Sequence, residues 1–190
     1  MNLPNLTYQN PTTWDNIFSH WEELEGHSPD WLAVAQAKGF ETWQQWRQAW
    51  VAQFQAPQRS WQTYAIENPL QTIPNFLIGP TQGWQRHFAI EEQNKHTFQT
   101  LVQRVNFQQN SKVQAIINDF PTSSQYFGIL LPSHEVVLIE GHHRACALTV
   151  LEQQGGSLDL TENLIIHLTQ FKTGEQALLD TMLQRGSSKQ

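Results

Sequence analysis

Cysteine is nearly absent: Cys146 is the one thiol in 190 residues. A lone cysteine excludes an intramolecular disulfide framework and a cysteine-rich metal site. Basic residues are scarce too, with 11 Lys and Arg against 17 Asp and Glu, for a net charge of −6. The deficit is not confined to a tail, since residues 1–60 hold six acids and three bases and residues 61–190 hold eleven and eight. A duplex-binding surface needs a basic face, because phosphate neutralisation supplies most of the non-specific affinity. No cluster of Lys and Arg is present, so nucleic acid is not an expected partner. No apolar run approaches the length of a membrane span. Met1 is followed by polar residues rather than by the basic and apolar regions of a secretory signal. The expectation is a soluble, cytoplasmic protein with no membrane partner.

What is abundant is tryptophan, and it is concentrated. Seven of the eight Trp residues fall within the first 61 positions. Trp14, Ile17, Phe18, Trp21 and Leu24 recur at helical spacing, with Thr13 as N-cap, Asp15 in the first turn and Gly26 as the stop. Ser28-Pro29-Asp30 opens a second helix, and Gly39 closes it. Thr42 caps a third, in which Trp43, Trp46, Trp50 and Phe54 form a stripe ended by Ala56-Pro57. Residues 12–55 therefore read as three helices. An aromatic stripe at this period is expected to face a core; the sharper alternative is a groove for a partner helix or a nucleobase.

From Trp61 the texture changes. Residues 64–66 and 73–78 look extended, and residues 79–84 form a loop rich in Gly and Pro. Helical periodicity returns over residues 94–107 and 111–120, then strands over 126–131 and 135–139, a helix over 144–153, a strand over 164–168 and a closing helix over 174–185. With 39% hydrophobic residues the chain can bury a core. The predicted fold class is α+β: a mixed sheet with packed helices, preceded by an N-terminal helical extension. The predicted division is a Trp-rich extension at 1–60 and a second unit at 61–190.

The most informative segment joins two of these elements. Val136-Val137-Leu138-Ile139 is an apolar strand, Glu140 and Gly141 end it, and the helix starts around His142-His143-Arg144. A strand that feeds a helix through a glycine turn leaves the first N–H groups of that helix unpaired. With a guanidinium beside them, these donors suit a phosphate or carboxylate. An anion is the expected ligand.

The same residues carry a resemblance. Glu-Gly-His-His-Arg-Ala-x-Ala after an apolar strand resembles the signature of the ParB/sulfiredoxin-like superfamily, whose turn reads Gly-x-x-Arg-x-x-Ala. Gly141, Arg144 and Ala147 match that pattern; Gly141, His143 and Arg144 match the sulfiredoxin form, in which a Cys stands where this chain has His142. The spelling is similar to that of kinase-like and uncharacterised members, rather than true sulfiredoxin or partition ParB. The resemblance spans about eight residues, extended by the order of elements around them, and implies that residues 61–190 form a ParB/sulfiredoxin-like domain. It implies a phosphate-binding loop of Gly141, His142, His143 and Arg144 for a nucleoside di- or triphosphate with Mg²⁺. Without the cysteine, reductase chemistry is not expected.

The candidate roles follow. Arg144 can grip a phosphate with two parallel donors, or it can pair with Glu140 or Glu152. His142 and His143 sit at the positive end of a helix, which disfavours imidazolium, so both are expected neutral. Two adjacent histidines cannot face the same way, and His143 is expected in the site. Glu140, or Glu135, could hold Mg²⁺ or act as general base, and Glu140 with His143 are the candidate catalytic residues. No metal-binding His pattern occurs. Cys146 reads as a packed small hydrophobe. The loop at 79–86 is expected to fold over a ligand, with Trp84 on a base and Arg86 on a phosphate. These readings imply a nucleotide- or phosphate-binding protein, either a nucleotide-dependent phosphotransferase or phosphohydrolase, or a non-enzymatic ligand-responsive module whose Trp-rich helices meet a protein partner. A ParB-like nuclease is the least favoured.

Overall fold

The computed structural model describes residues 3–121, 125–158 and 163–189. It begins with a strand, β1 (Leu6–Thr12), followed by α1 (Trp14–Trp21), which runs into a π-helical turn at Glu22–Gly26. Then come α2 (Pro29–Ala37), α3 (Trp43–Ala52), β2 (Trp61–Ile66), the short α4 (Pro69–Thr72) and β3 (Leu77–Ile78). One-turn α5 (Gln82–Gln85), α6 (Phe98–Arg104) and α7 (Ser111–Asn118) precede β4 (Gln125–Leu130) and β5 (Val136–Glu140). The chain closes with α8 (His142–Gln153), β6 (Leu164–Gln170) and α9 (Ala177–Arg185).

The strands form one mixed sheet in the order β1-β2-β6-β4-β5-β3. Parallel pairing joins β6 to β4 and β5 to β3; the other neighbours are antiparallel. The fold is α+β. Both faces are covered, which explains why β5 reads as an unbroken apolar run rather than an alternating one. Val136 and Leu138 point to one core, shared with α8; Val137 and Ile139 point to the other, shared with Trp21, Trp43 and Trp50. The tryptophan-bearing helices thus pack on the sheet itself, through Trp61, Phe127 and Ile129. A helical segment this small could not bury its aromatic surface alone.

Local signals account for most boundaries. The Thr13 and Thr42 hydroxyls accept from the backbone N–H groups of Asn16 and Gln45, capping α1 and α3 as expected. Gly39 takes φ +88° and ends α2. Ser28 makes no side-chain cap, so Pro29 alone sets the start of α2. The first strand was not anticipated, because LTYQNPT is exposed along nearly its whole length and shows no alternation. It is an edge strand with a bulge between Tyr8 and Asn10, where a proline is tolerated. Residues 73–75, expected extended, form a 3₁₀ turn, leaving two residues for β3. The predicted helix at 94–107 shrinks to α6 and a separate 3₁₀ turn at Phe107–Gln109.

Candidate functional site

Where β5 ends, Gly141 adopts φ +103°, and a Cβ there would collide with the ring of Tyr126. Only glycine satisfies both demands. Ala145 N–H returns to the Gly141 carbonyl at 2.8 Å, and no side chain caps α8. The orphan donors of its first turn therefore remain available to a ligand.

They meet a cavity of about 270 Å³, just below the range of about 300–1,000 Å³ typical of small-molecule pockets. One wall is Glu140, Gly141, His142 and His143 with the turn 80–84. The opposite wall is the helical segment, through Trp21, Trp31, Trp46 and Trp50 with Glu25 and Arg47. Lys38, Gly186 and Ser187 complete the rim. Two tryptophans of the predicted stripe thus do both jobs considered for them: Trp43, Trp46 and Trp50 are all buried in the core, and Trp46 and Trp50 also line a groove.

The loop 79–86 is fixed on α8. Gly79 N–H donates to His142 Nε2 at 3.2 Å, and Trp84 stacks on the His142 ring at 5.5 Å with an 11° tilt. Gln85, fully buried, donates to the carbonyls of Ile78 and Gly79 at 2.9 and 3.1 Å. Trp84 also meets the edge of His143 at 4.9 Å. Arg86 is exposed and does not line the cavity.

Both histidines line the cavity, rather than one. Burial, then the neighbouring His143 ring and the positive charges of Arg47 and Arg144, holds His142 down to about 3. Burial, then Lys112 and Arg144, holds His143 down to about 4. Each is neutral at pH 7. His142 has its Nε2 committed to Gly79 and serves as a brace, which leaves His143 as the one whose ring is open to a ligand.

Arg144 stands behind the wall, not in it. It is 9% exposed, pairs with Glu140, donates to the Gln125 carbonyl at 3.0 Å, and lies 4.9 Å over the Tyr126 ring. Of the two partners considered for it, Glu140 is the one it takes. Burial pushes the Glu140 carboxyl up while the guanidinium pulls it back. Glu135 lies away from the cavity in an exposed turn, accepting from Ser133 at 2.7 Å. Burial pushes the Cys146 thiol well up, as suits a packed residue.

The feature missed in the sequence is the charge among the tryptophans. Arg47 donates to Glu25 at 2.7 Å and lies 3.9 Å over Trp46, 4.6 Å over Trp21 and 5.2 Å over Trp31. Trp21 and Trp43 donate their indole N–H groups to the same Glu25 oxygen at 3.0 and 3.4 Å. A signal was present: Arg47 falls on the Trp43–Trp50 face of α3, where an unpaired cation would not be tolerated.

Compared with family models, curated proteins and solved structures, the chain matches none.

Proposed function

We propose that the chain is a nucleotide- or phosphate-binding protein of the ParB/sulfiredoxin-like type, with its ligand in the cavity between the start of α8 and the tryptophan-bearing helices. One observation carries this reading: an uncapped helix N-terminus opens into a cavity walled by indoles and cations. Helix N–H groups and neutral His143 suit phosphate oxygens, and the indoles suit a planar base. Arg144, in this reading, is a positioning residue that holds the Glu140–Gly141 turn.

The residues fit phosphates better than they fit Mg²⁺. Glu25 and Glu140 line the cavity, but each is already paired with an arginine, and a divalent cation would have to displace that partner. This favours a ligand-responsive binding module over a nucleotide-dependent phosphotransferase or phosphohydrolase. Transfer would need Glu140 or His143 as base, and Glu140 is held by Arg144.

Gly83 lines the cavity, and a Cβ there meets nothing within 4 Å. Gly83→Phe is therefore expected to fold and to fill the site. Thermal stability is measured against ATP, ADP, CTP, GTP and pyrophosphate with Mg²⁺. A ligand at about 100 times its Kd adds about 2.7 kcal/mol. A shift in the wild type that disappears in Gly83→Phe supports the reading. No shift with any of the five, or an equal shift in the variant, refutes it. Release of phosphate on incubation would restore the enzymatic reading.

A further inference from the structure

Three cations converge on two neighbouring indoles in a chain whose net charge is −6. Trp31 and Trp46 lie 6.1 Å apart, between centroids. Arg47 lies over both; Lys112 Nζ is 4.1 Å from the centre of Trp31 and Lys38 Nζ is 6.0 Å from that of Trp46. They come from three separate elements, α7, α3 and the end of α2. Of the three, only Arg47 has an ion-pair partner among the described residues, Glu25. Lys38 and Lys112 have none within 4 Å.

Burial and neighbouring charge act on both lysines. Burial and the charge of Arg47 both lower the Lys38 ammonium. Burial lowers that of Lys112, and Arg47 adds to this against the pull of Glu25, Glu140 and Asp30. Two buried donors nearby also lack acceptors. The indole N–H of Trp46, a residue 4% exposed, has no partner, nor has Arg47 Nε. Both residues line the cavity, so these two donors are free of protein partners beside it.

We propose that Lys38, on the cavity rim, and Lys112, which flanks the cavity on Trp31, form a second anion subsite, so that the ligand carries two phosphoryl groups, one at the start of α8 and one at this cluster. Arg47, locked by Glu25 and the indoles, keeps the two rings in place. This rests on the proposed phosphate site and adds to it the number of anionic groups that the ligand bears. Lysine ammonium groups are compact and free to reorient, which suits them to follow a phosphoryl oxygen.

The test titrates inorganic phosphate and pyrophosphate by tryptophan fluorescence into the wild type, Lys38→Gln, Lys112→Gln and Lys112→Arg. The wild type is expected to bind pyrophosphate at least about tenfold more tightly than phosphate. Each Gln variant is expected to lose that preference with an unchanged melting temperature in the absence of ligand, since neither lysine is in the core. Lys112→Arg is expected to retain it. Added salt should weaken the pyrophosphate preference in the wild type. Wild-type preference in both Gln variants overturns the second subsite and leaves the proposed phosphate site standing. Binding of neither anion by the wild type overturns both.

Discussion

His142 links acid stability to the loop over the site. Its Nε2 accepts from Gly79 N–H, so the neutral ring carries its proton on Nδ1. A second proton on Nε2 would place two donors against each other. The native ring is held down to about 3, whereas an unfolded histidine titrates near about 6.5. Between these values the unfolded state binds more protons, so stability is complete above the unfolded pKa and is lost as pH falls toward the native one. Because the native ring is still neutral at pH 5, the loss from pH 7 to pH 5 depends only on the unfolded value and comes to about 2 kcal/mol. Urea unfolding at the two pH values reads this as a midpoint shift of about 1 M. His143 and His167, each held down to about 4, act in the same direction. His142→Gln isolates one of the three, since Gln offers an acceptor to Gly79 but does not titrate. Its loss on acidification is expected to be smaller than that of the wild type by about 2 kcal/mol. Equal losses in the two proteins would refute the assignment of a buried, neutral His142.

Arg144→Met leaves Glu140 buried beside an apolar side chain, and should cost on the order of 3–5 kcal/mol in urea or thermal melts. Adding Glu140→Gln should recover part of this, and a double variant no better than the single would count against a paired buried charge. At Gly79 a Cβ would meet the Leu138 carbonyl directly, with His142 Nε2 at 3.1 Å. Gly79→Ala should therefore cost at least about 1–3 kcal/mol, whereas Gly83→Ala, in open space, should leave the melting temperature within a degree or two; similar behaviour of the two would contradict the packing of this loop.

Much of the fold was legible because it rests on local patterns. The caps at Thr13 and Thr42, the glycine stops, and the apolar run before Gly141 all place their elements correctly, since each satisfies backbone groups within a few residues. Strand β1 was not legible: its residues are exposed, and it is a strand only because β2 offers it hydrogen bonds. The extended stretch expected over residues 73–78 was legible only in part, since a 3₁₀ turn takes its start and pairing with β5 limits β3 to Leu77 and Ile78.

The site divides in the same way. Residue order alone determined that β5 would turn through Gly141 into α8, that the first turn of that helix would hold two histidines and an arginine, and that aromatic surface would concentrate in the first third of the chain. Tertiary structure decided what each does. Burial of Glu140 drew Arg144 out of the wall into an ion pair, and the approach of Gly79 turned His142 into a brace. Packing of α1–α3 on the sheet brought Arg47 and Lys38 opposite the start of α8, about a hundred residues away in sequence. Local order follows from short-range hydrogen bonding and side-chain periodicity, whereas the partner of a buried charge is set by which desolvated group of opposite sign the packing brings within reach.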